Sequence, residues 1–234
     1  MRVIYLHGFA SSPASAKVQR FRPLLESLGL PLVVPDLNEP NFESLSLSRS
    51  IGRVLDLARA DHPAWHGETL QAAENGAVVR TDGVVLLIGS SFGGLTAAMA
   101  AERLGPRVAG LVLMAPAFDL PRIWDRELGS EGIDQWRSSD ALEVDHPAYS
   151  HDKYLHWAFY EDAMRHDTAP MALSCPALVF HGLDDDVVDV EVTRRFSRRN
   201  PQALVHLLED GHDLLSSLDF MLAETRRFLE KLGR

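Results

Sequence analysis

The chain has 234 residues, 46% of them hydrophobic, which suits one α/β domain with a sizeable core. Lys and Arg number 23 against 33 Asp and Glu, a net charge of −10. With no basic cluster to offset it, that balance argues against nucleic acid or an anionic membrane as partner.

Arg2 to Leu6 reads as a short strand running directly into His7-Gly8-Phe9. Its apolar run is too short for a signal peptide, so the expected location is the cytoplasm. Cys175 is the single cysteine, which leaves no internal disulfide and reads as a small buried hydrophobe. Ser12-Pro13 has the form of an N-cap followed by proline at the first helical position. Val18, Phe21, Leu25 and Leu28 then recur at helical spacing as far as Gly29. Leu32 to Pro35 is a second strand, and Leu45, Leu47, Ile51, Val54, Leu55 and Ala58 mark a second amphipathic helix. Asp61 to Asp82 is polar, holds His62, Trp65 and His66 and has no clear period, although Thr69 to Ala73 could form one helical turn.

The stretch Val84 to Leu104 organises the rest. Val84 to Ile88 is an apolar run rich in β-branched residues, as in a strand buried on both faces. Phe92 to Leu104, with four alanines, has helical composition. Gly89-Ser90-Ser91-Phe92-Gly93 lies between them and matches G-x-S-x-G with Ser91 as its central serine. A strand turning sharply into a helix strains the corner residue, and flanking glycines leave no Cβ to collide with neighbouring elements. Ser91 is thereby the candidate nucleophile, with the N–H groups of a helix N-terminus behind it. A membrane helix over Gly83 to Ala101 is the competing reading of this uncharged window. It is set aside because the period changes at Gly89 and the centre is Gly-Ser-Ser.

Val108 to Met114 is a further strand. From Ala117 to Pro170 the character changes: three of the four tryptophans (Trp124, Trp136, Trp157) and three of the four tyrosines fall there. Short helices are expected near Leu120–Leu128 and Asp152–Arg165. Ala177 to Phe180 is a strand, Glu191 to Arg199 a helix, Ala203 to Leu208 the last strand and Leu214 to Leu232 the last helix. This alternation implies a parallel sheet with helices on both faces, in which ligands bind beyond the carboxyl ends of the strands.

A serine hydroxyl needs an adjacent base, itself oriented by a carboxylate. On this kind of sheet the chain order is serine, acid, histidine. Of the 10 histidines, only His206 and His212 follow the acid-rich loop Asp184-Asp185-Asp186. His206 lies inside the last strand, whereas His212 lies just past its end, so His212 is the candidate base. The residues leave three aspartates open as the acid. A metal reading of that loop lacks a ligand cluster of matching spacing, and neither metal nor cofactor is expected.

The residues resemble the serine hydrolases of the α/β-hydrolase superfamily, and in particular small bacterial esterases that begin with a strand and His-Gly-Phe. The matching stretches are Tyr5 to Pro13, Ile88 to Gly94, His181 to Val188 and Asp210-Gly211-His212. The resemblance implies an α/β-hydrolase fold, a sheet of about six strands in the order 2-1-3-4-5-6 and a single domain over 1–234, with 117–170 as a lid. It selects Asp185 as the acid and implies an oxyanion hole at the backbone N–H groups of Phe9 and Phe92. His7 then shapes its loop rather than carrying a proton. The implied activity is hydrolysis of small carboxylic esters through an acyl-enzyme. The aromatic composition of the insert places Trp124 and Trp157 in an apolar substrate pocket, the alternative being that its rings simply fill a core between packed helices. The partner is a small-molecule ester or thioester, and a homo-oligomer is left open. Thioesterase or peptidase action with the same triad is the alternative enzyme reading. A non-catalytic ligand receptor on the same fold is the alternative from another class.

Overall fold

In chain order the elements are β1 (Arg2–Leu6), α1 (Ala16–Ser27), β2 (Leu32–Val33), α2 (Leu47–Leu57), β3 (Val85–Ser90), α3 (Phe92–Leu104) and β4 (Val108–Met114). They are followed by α4 (Leu120–Ser139), β5 (Leu142–Val144), β6 (Lys153–Leu155), α5 (Ala158–Met164), β7 (Ala177–Gly182), α6 (Val190–Arg199), β8 (Leu204–Leu208) and α7 (Leu218–Lys231). The computed structural model describes residues 1–59, 84–147, 149 and 152–233. The polar stretch 61–82, with the turn expected at Thr69–Ala73, lies outside them.

The main sheet has six strands in the order β2-β1-β3-β4-β7-β8, all parallel. Counted without the separate β5–β6 pair, that is the expected 2-1-3-4-5-6. Alternation along each strand sends one set of side chains to each face. Ile4, Leu6, Leu87, Leu111, Leu113 and Val179 pack with α2, α3, α6 and the 117–170 segment. Val3, Tyr5, Leu86, Ile88, Val112, Leu178 and Phe180 pack with α1 and α7. Every residue of β3 and β7 is buried, as their unbroken apolar runs require.

Two helix starts differ from expectation for a local reason. The Ser12 hydroxyl accepts the Ala14 amide at 3.2 Å and the Ser12 carbonyl accepts Ser15 N–H at 3.1 Å. Ser12-Pro13 therefore makes a turn, and α1 begins after Ser15. Likewise Asp213 Oδ1 accepts the Leu215 amide and Asp210 Oδ2 the Ser217 amide. Residues 213–217 are thereby held as a turn and α7 begins only at Leu218.

The 117–170 segment departs further. Helix formation near Leu120 continues to Ser139 across a break at Gly129, whose φ of 64° and ψ of 177° only glycine adopts freely. An antiparallel pair, β5 with β6, follows, registering Leu142 with Leu155. The second helix is confined to Ala158–Met164 rather than the expected Asp152–Arg165.

Candidate active site

The corner between β3 and α3 is built as the glycine spacing demands. Ser91 has φ 53° and ψ −117°, a strained conformation for a residue with a Cβ, costing on the order of 1–3 kcal/mol. Its amide is pinned to Met114 O at 2.8 Å and its carbonyl accepts Ala117 N–H at 3.1 Å, so the end of β4 holds the corner in place. A Cβ on Gly89 would overlap the backbone of Gly93, and a Cβ on Gly93 would overlap the carbonyl oxygens of Leu6 and His7. The first contact closes the turn, and the second lets α3 start against the end of β1.

Gly182 plays the equivalent part at the other end of the sheet. A Cβ there would strike the carbonyl oxygens of Asp210 and Gly211. Its absence brings the loop after β8 against the loop after β7, where Leu183 N–H meets Leu208 O at 2.7 Å and Asp184 N–H meets Asp210 O at 3.2 Å. His212 and Asp185 are placed by those two loops.

Ser91, His212 and Asp185, separated widely in sequence, form one hydrogen-bonded line. His212 Nδ1 lies 2.8 Å from Asp185 Oδ2 and 3.0 Å from Oδ1, and His212 Nε2 lies 3.0 Å from Ser91 Oγ. A carboxylate only accepts, so Nδ1 carries the proton and Nε2 presents its lone pair to the serine hydroxyl. Asp184 and Asp186 make no such contact among the described residues, and Asp185 alone of the three faces the imidazole. Burial of the Asp185 carboxyl pushes its pKa up, but bonds from His181 and His212, the His212 charge and the Val188 amide outweigh that. The net effect holds it well below the usual carboxylate range.

His181 is a member of this site to which the sequence reading gave no role. Fully buried at the end of β7, it sets Nε2 3.2 Å from Asp185 Oδ2 and 2.9 Å from Val188 O. Its Nδ1 lies 2.6 Å from Thr193 Oγ1. With the amides of Val187 and Val188, at 3.0 and 2.7 Å from Asp185 Oδ1, it fixes both carboxylate oxygens. The signal in the sequence was a histidine placed directly at the end of the apolar run Ala177 to Phe180. His7 fits its structural reading: it is buried, Nε2 accepts the Leu37 amide at 2.9 Å and Nδ1 donates to Gly8 O at 2.9 Å.

The Phe9 amide has no hydrogen-bond partner among the described residues. Phe92 is the first residue of α3, where no earlier turn of the helix supplies an acceptor for its amide. Both rings run under the 117–170 segment: Phe9 packs on Phe42, Trp124 and Phe159, and Phe92 packs on Phe159. The tryptophans expected at the substrate do not line the cavity beside Ser91, which is bounded instead by Tyr5, His7, Gly8, Phe9, Ser11, Ser15, Lys17, Ser90, His212 and Asp213. Trp124 packs edge-on against Phe9, which does line it. Trp157 lies one ring further out, edge-on to the buried Trp136 and stacked on Tyr160 at 4.7 Å. The insert has to fill its own small core, and Trp136 and Trp157 are used for that.

A family model described as the alpha/beta hydrolase family matches residues 3–227. The chain belongs to the alpha/beta hydrolase family. Solved structures agree in fold throughout this hydrolase. A hydrolase from Agrobacterium vitis S4 is 21% identical, with a TM-score of 0.77 over 97% of this chain and 87% of that one. Est1E from Butyrivibrio proteoclasticus is 19% identical, with a TM-score of 0.75 over 98% and 87%. Alpha/beta hydrolase domain-containing protein 10 from mouse is 20% identical, with a TM-score of 0.75 over 98% and 90%. No curated protein sequence matches the chain. Among the described residues, no helix is long and apolar enough to cross a membrane.

Proposed function

We propose that this alpha/beta hydrolase cleaves small carboxylic esters, with Ser91 as nucleophile, His212 as general base and acid, and Asp185 as the group that orients the imidazole. The observation that carries the reading is the unbroken line from Asp185 through His212 to Ser91 Oγ, with contacts of 2.8 and 3.0 Å. Ser91 Oγ attacks the ester carbonyl carbon as its proton passes to His212 Nε2, and the carbonyl π electrons move to oxygen. The amides of Phe9 and Phe92 receive that oxyanion, each such donor lowering the barrier by about 3 kcal/mol. The C–O bond to the alcohol then breaks, and the departing oxygen takes the proton from His212. Water repeats the sequence on the acyl-enzyme, losing a proton to His212, and the acid and free Ser91 are released. The carboxylate of Asp185, held ionised, stabilises the imidazolium formed in each half.

The 117–170 segment acts in this scheme as a cap. Support comes from the rings of Phe9 and Phe92 beneath Phe159 and Trp124 and from Arg126, which donates to the carbonyls of Asp186 and Val187 in the loop that carries the acid. Such a cover excludes bulk water from the developing charge. The structural relatives include an esterase from Thermogutta terrifontis and Est1E, solved with ferulic acid bound, which is consistent with ester chemistry. Ser91→Ala is expected to lower p-nitrophenyl acetate turnover by about 10⁴-fold or more with an unchanged circular dichroism spectrum. Activity within a few-fold of the parent would remove Ser91 as nucleophile.

A further inference from the structure

Beside the nucleophile, the structure holds polar groups that the ester mechanism does not use. The cavity of about 150 Å³ next to Ser91 and His212 is also bounded by Lys17, Tyr5, Ser11, Ser15 and Ser90.

Lys17 projects from the first turn of α1, and its Nζ donates to Asp213 O, the residue after His212, at 2.7 Å. Among the described residues, no carboxylate lies within ion-pair distance of it. The nearby acids are engaged elsewhere: Asp185 by His181 and His212, Asp210 by the amides of Gly211 and Ser217, and Asp213 by the amide of Leu215. Burial lowers the Lys17 pKa, and the charges of Asp213, Asp185 and Asp210 partly restore it. One carbonyl contact leaves two ammonium protons for another acceptor.

Tyr5 forms part of the cavity wall, fully buried and with its ring edge-on to Phe21 at 5.7 Å. Ser15, the N-cap of α1, makes no capping bond with its side chain, so the cavity also faces the positive end of a helix.

We propose that this cavity is a carboxylate subsite, and that the preferred ester carries a carboxylate a few bonds from the reacting carbonyl, held by Lys17. The proposal rests on Ser91 as the reacting centre, but its test does not depend on turnover. Sodium succinate, titrated calorimetrically into the whole protein at fixed ionic strength, is expected to bind at least about tenfold more tightly than the neutral isostere succinamide. Lys17→Met should remove that preference and Lys17→Arg should keep part of it. Lys17 also touches the His212 loop, so a purely structural role would weaken succinate and succinamide alike or unfold the variant. The Arg variant and the succinate-to-succinamide ratio separate these cases. Equal binding of succinate and succinamide to the parent protein, or a ratio unmoved by Lys17→Met, overturns the subsite. A Ser91→Ala protein that binds succinate like the parent but still turns over p-nitrophenyl acetate overturns the nucleophile and leaves the subsite standing.

Discussion

The β3–α3 corner and the 117–170 segment lie against each other and follow opposite rules. At the corner, backbone meets backbone: Gly89 faces Gly93, Gly93 faces the end of β1, and Ser91 is bonded to both sides of the end of β4. In the insert, side chain meets side chain, with Trp124, Trp136, Trp157, Tyr160 and Phe159 in a run of ring contacts. Rings can re-pack at modest cost, but two backbones occupying one place cannot. The proposed nucleophile is therefore held by the rigid corner, and the insert is the part free to take different shapes around it.

Several substitutions would sharpen or break that contrast. The largest effect is expected from Asp185→Asn, which keeps the shape of the acid loop but removes the acceptor that fixes the His212 tautomer. Its kcat should fall by about 10⁴-fold, measured on p-nitrophenyl acetate. The same variant tests the electrostatics. Asp185 is held ionised well below the ordinary carboxylate range in the folded protein. Its contribution to stability is thus complete above that range and is lost as pH falls toward the depressed value. Urea midpoints at pH 7 and pH 3 should differ more for the parent than for Asp185→Asn, and equal differences would contradict the assignment. Next comes Gly93→Ala, which must push the Leu6 and His7 carbonyls away from α3. Loss of more than about 4 kcal/mol, or failure to fold, is expected, read by urea denaturation. The smallest effect belongs to the insert. Gly129→Ala meets no neighbouring atom but sits at positive φ, so a cost of about 1–3 kcal/mol is expected, with kcat on a small ester kept within a few-fold. If Gly129→Ala cost as much as Gly93→Ala, the contrast between corner and insert would fail.

The same contrast explains what the sequence made legible. Strands β1 and β4 run where their apolar runs begin and end, and the alternation of elements indicates a parallel sheet, while its strand order is what the family resemblance implies. Ser91 and His212 were marked by glycines and by position relative to strand ends, rules that act over a few residues. Asp185 needed more: three aspartates stand together, local rules leave all three open, and it is the family resemblance that selects the one the fold brings to the imidazole. His181 was hidden because a buried histidine's role lies in what it touches, here Asp185 and Thr193. In the insert, the strands Leu142–Val144 and Lys153–Leu155 are three residues each, too short to display a period. The helix expected near Leu120–Leu128 continues past a bend at Gly129. Aromatic richness pointed to a pocket, yet composition cannot separate rings that line a site from rings that pack on each other, as Trp157 does.

The most direct test of the account is covalent labelling with a small fluorophosphonate, followed by mass spectrometry of the proteolysed protein. The account predicts one adduct, on the peptide carrying Ser91, formed by the parent and sharply slowed in Asp185→Asn. An unlabelled Ser91 in folded parent protein, or an adduct on another residue, would contradict it.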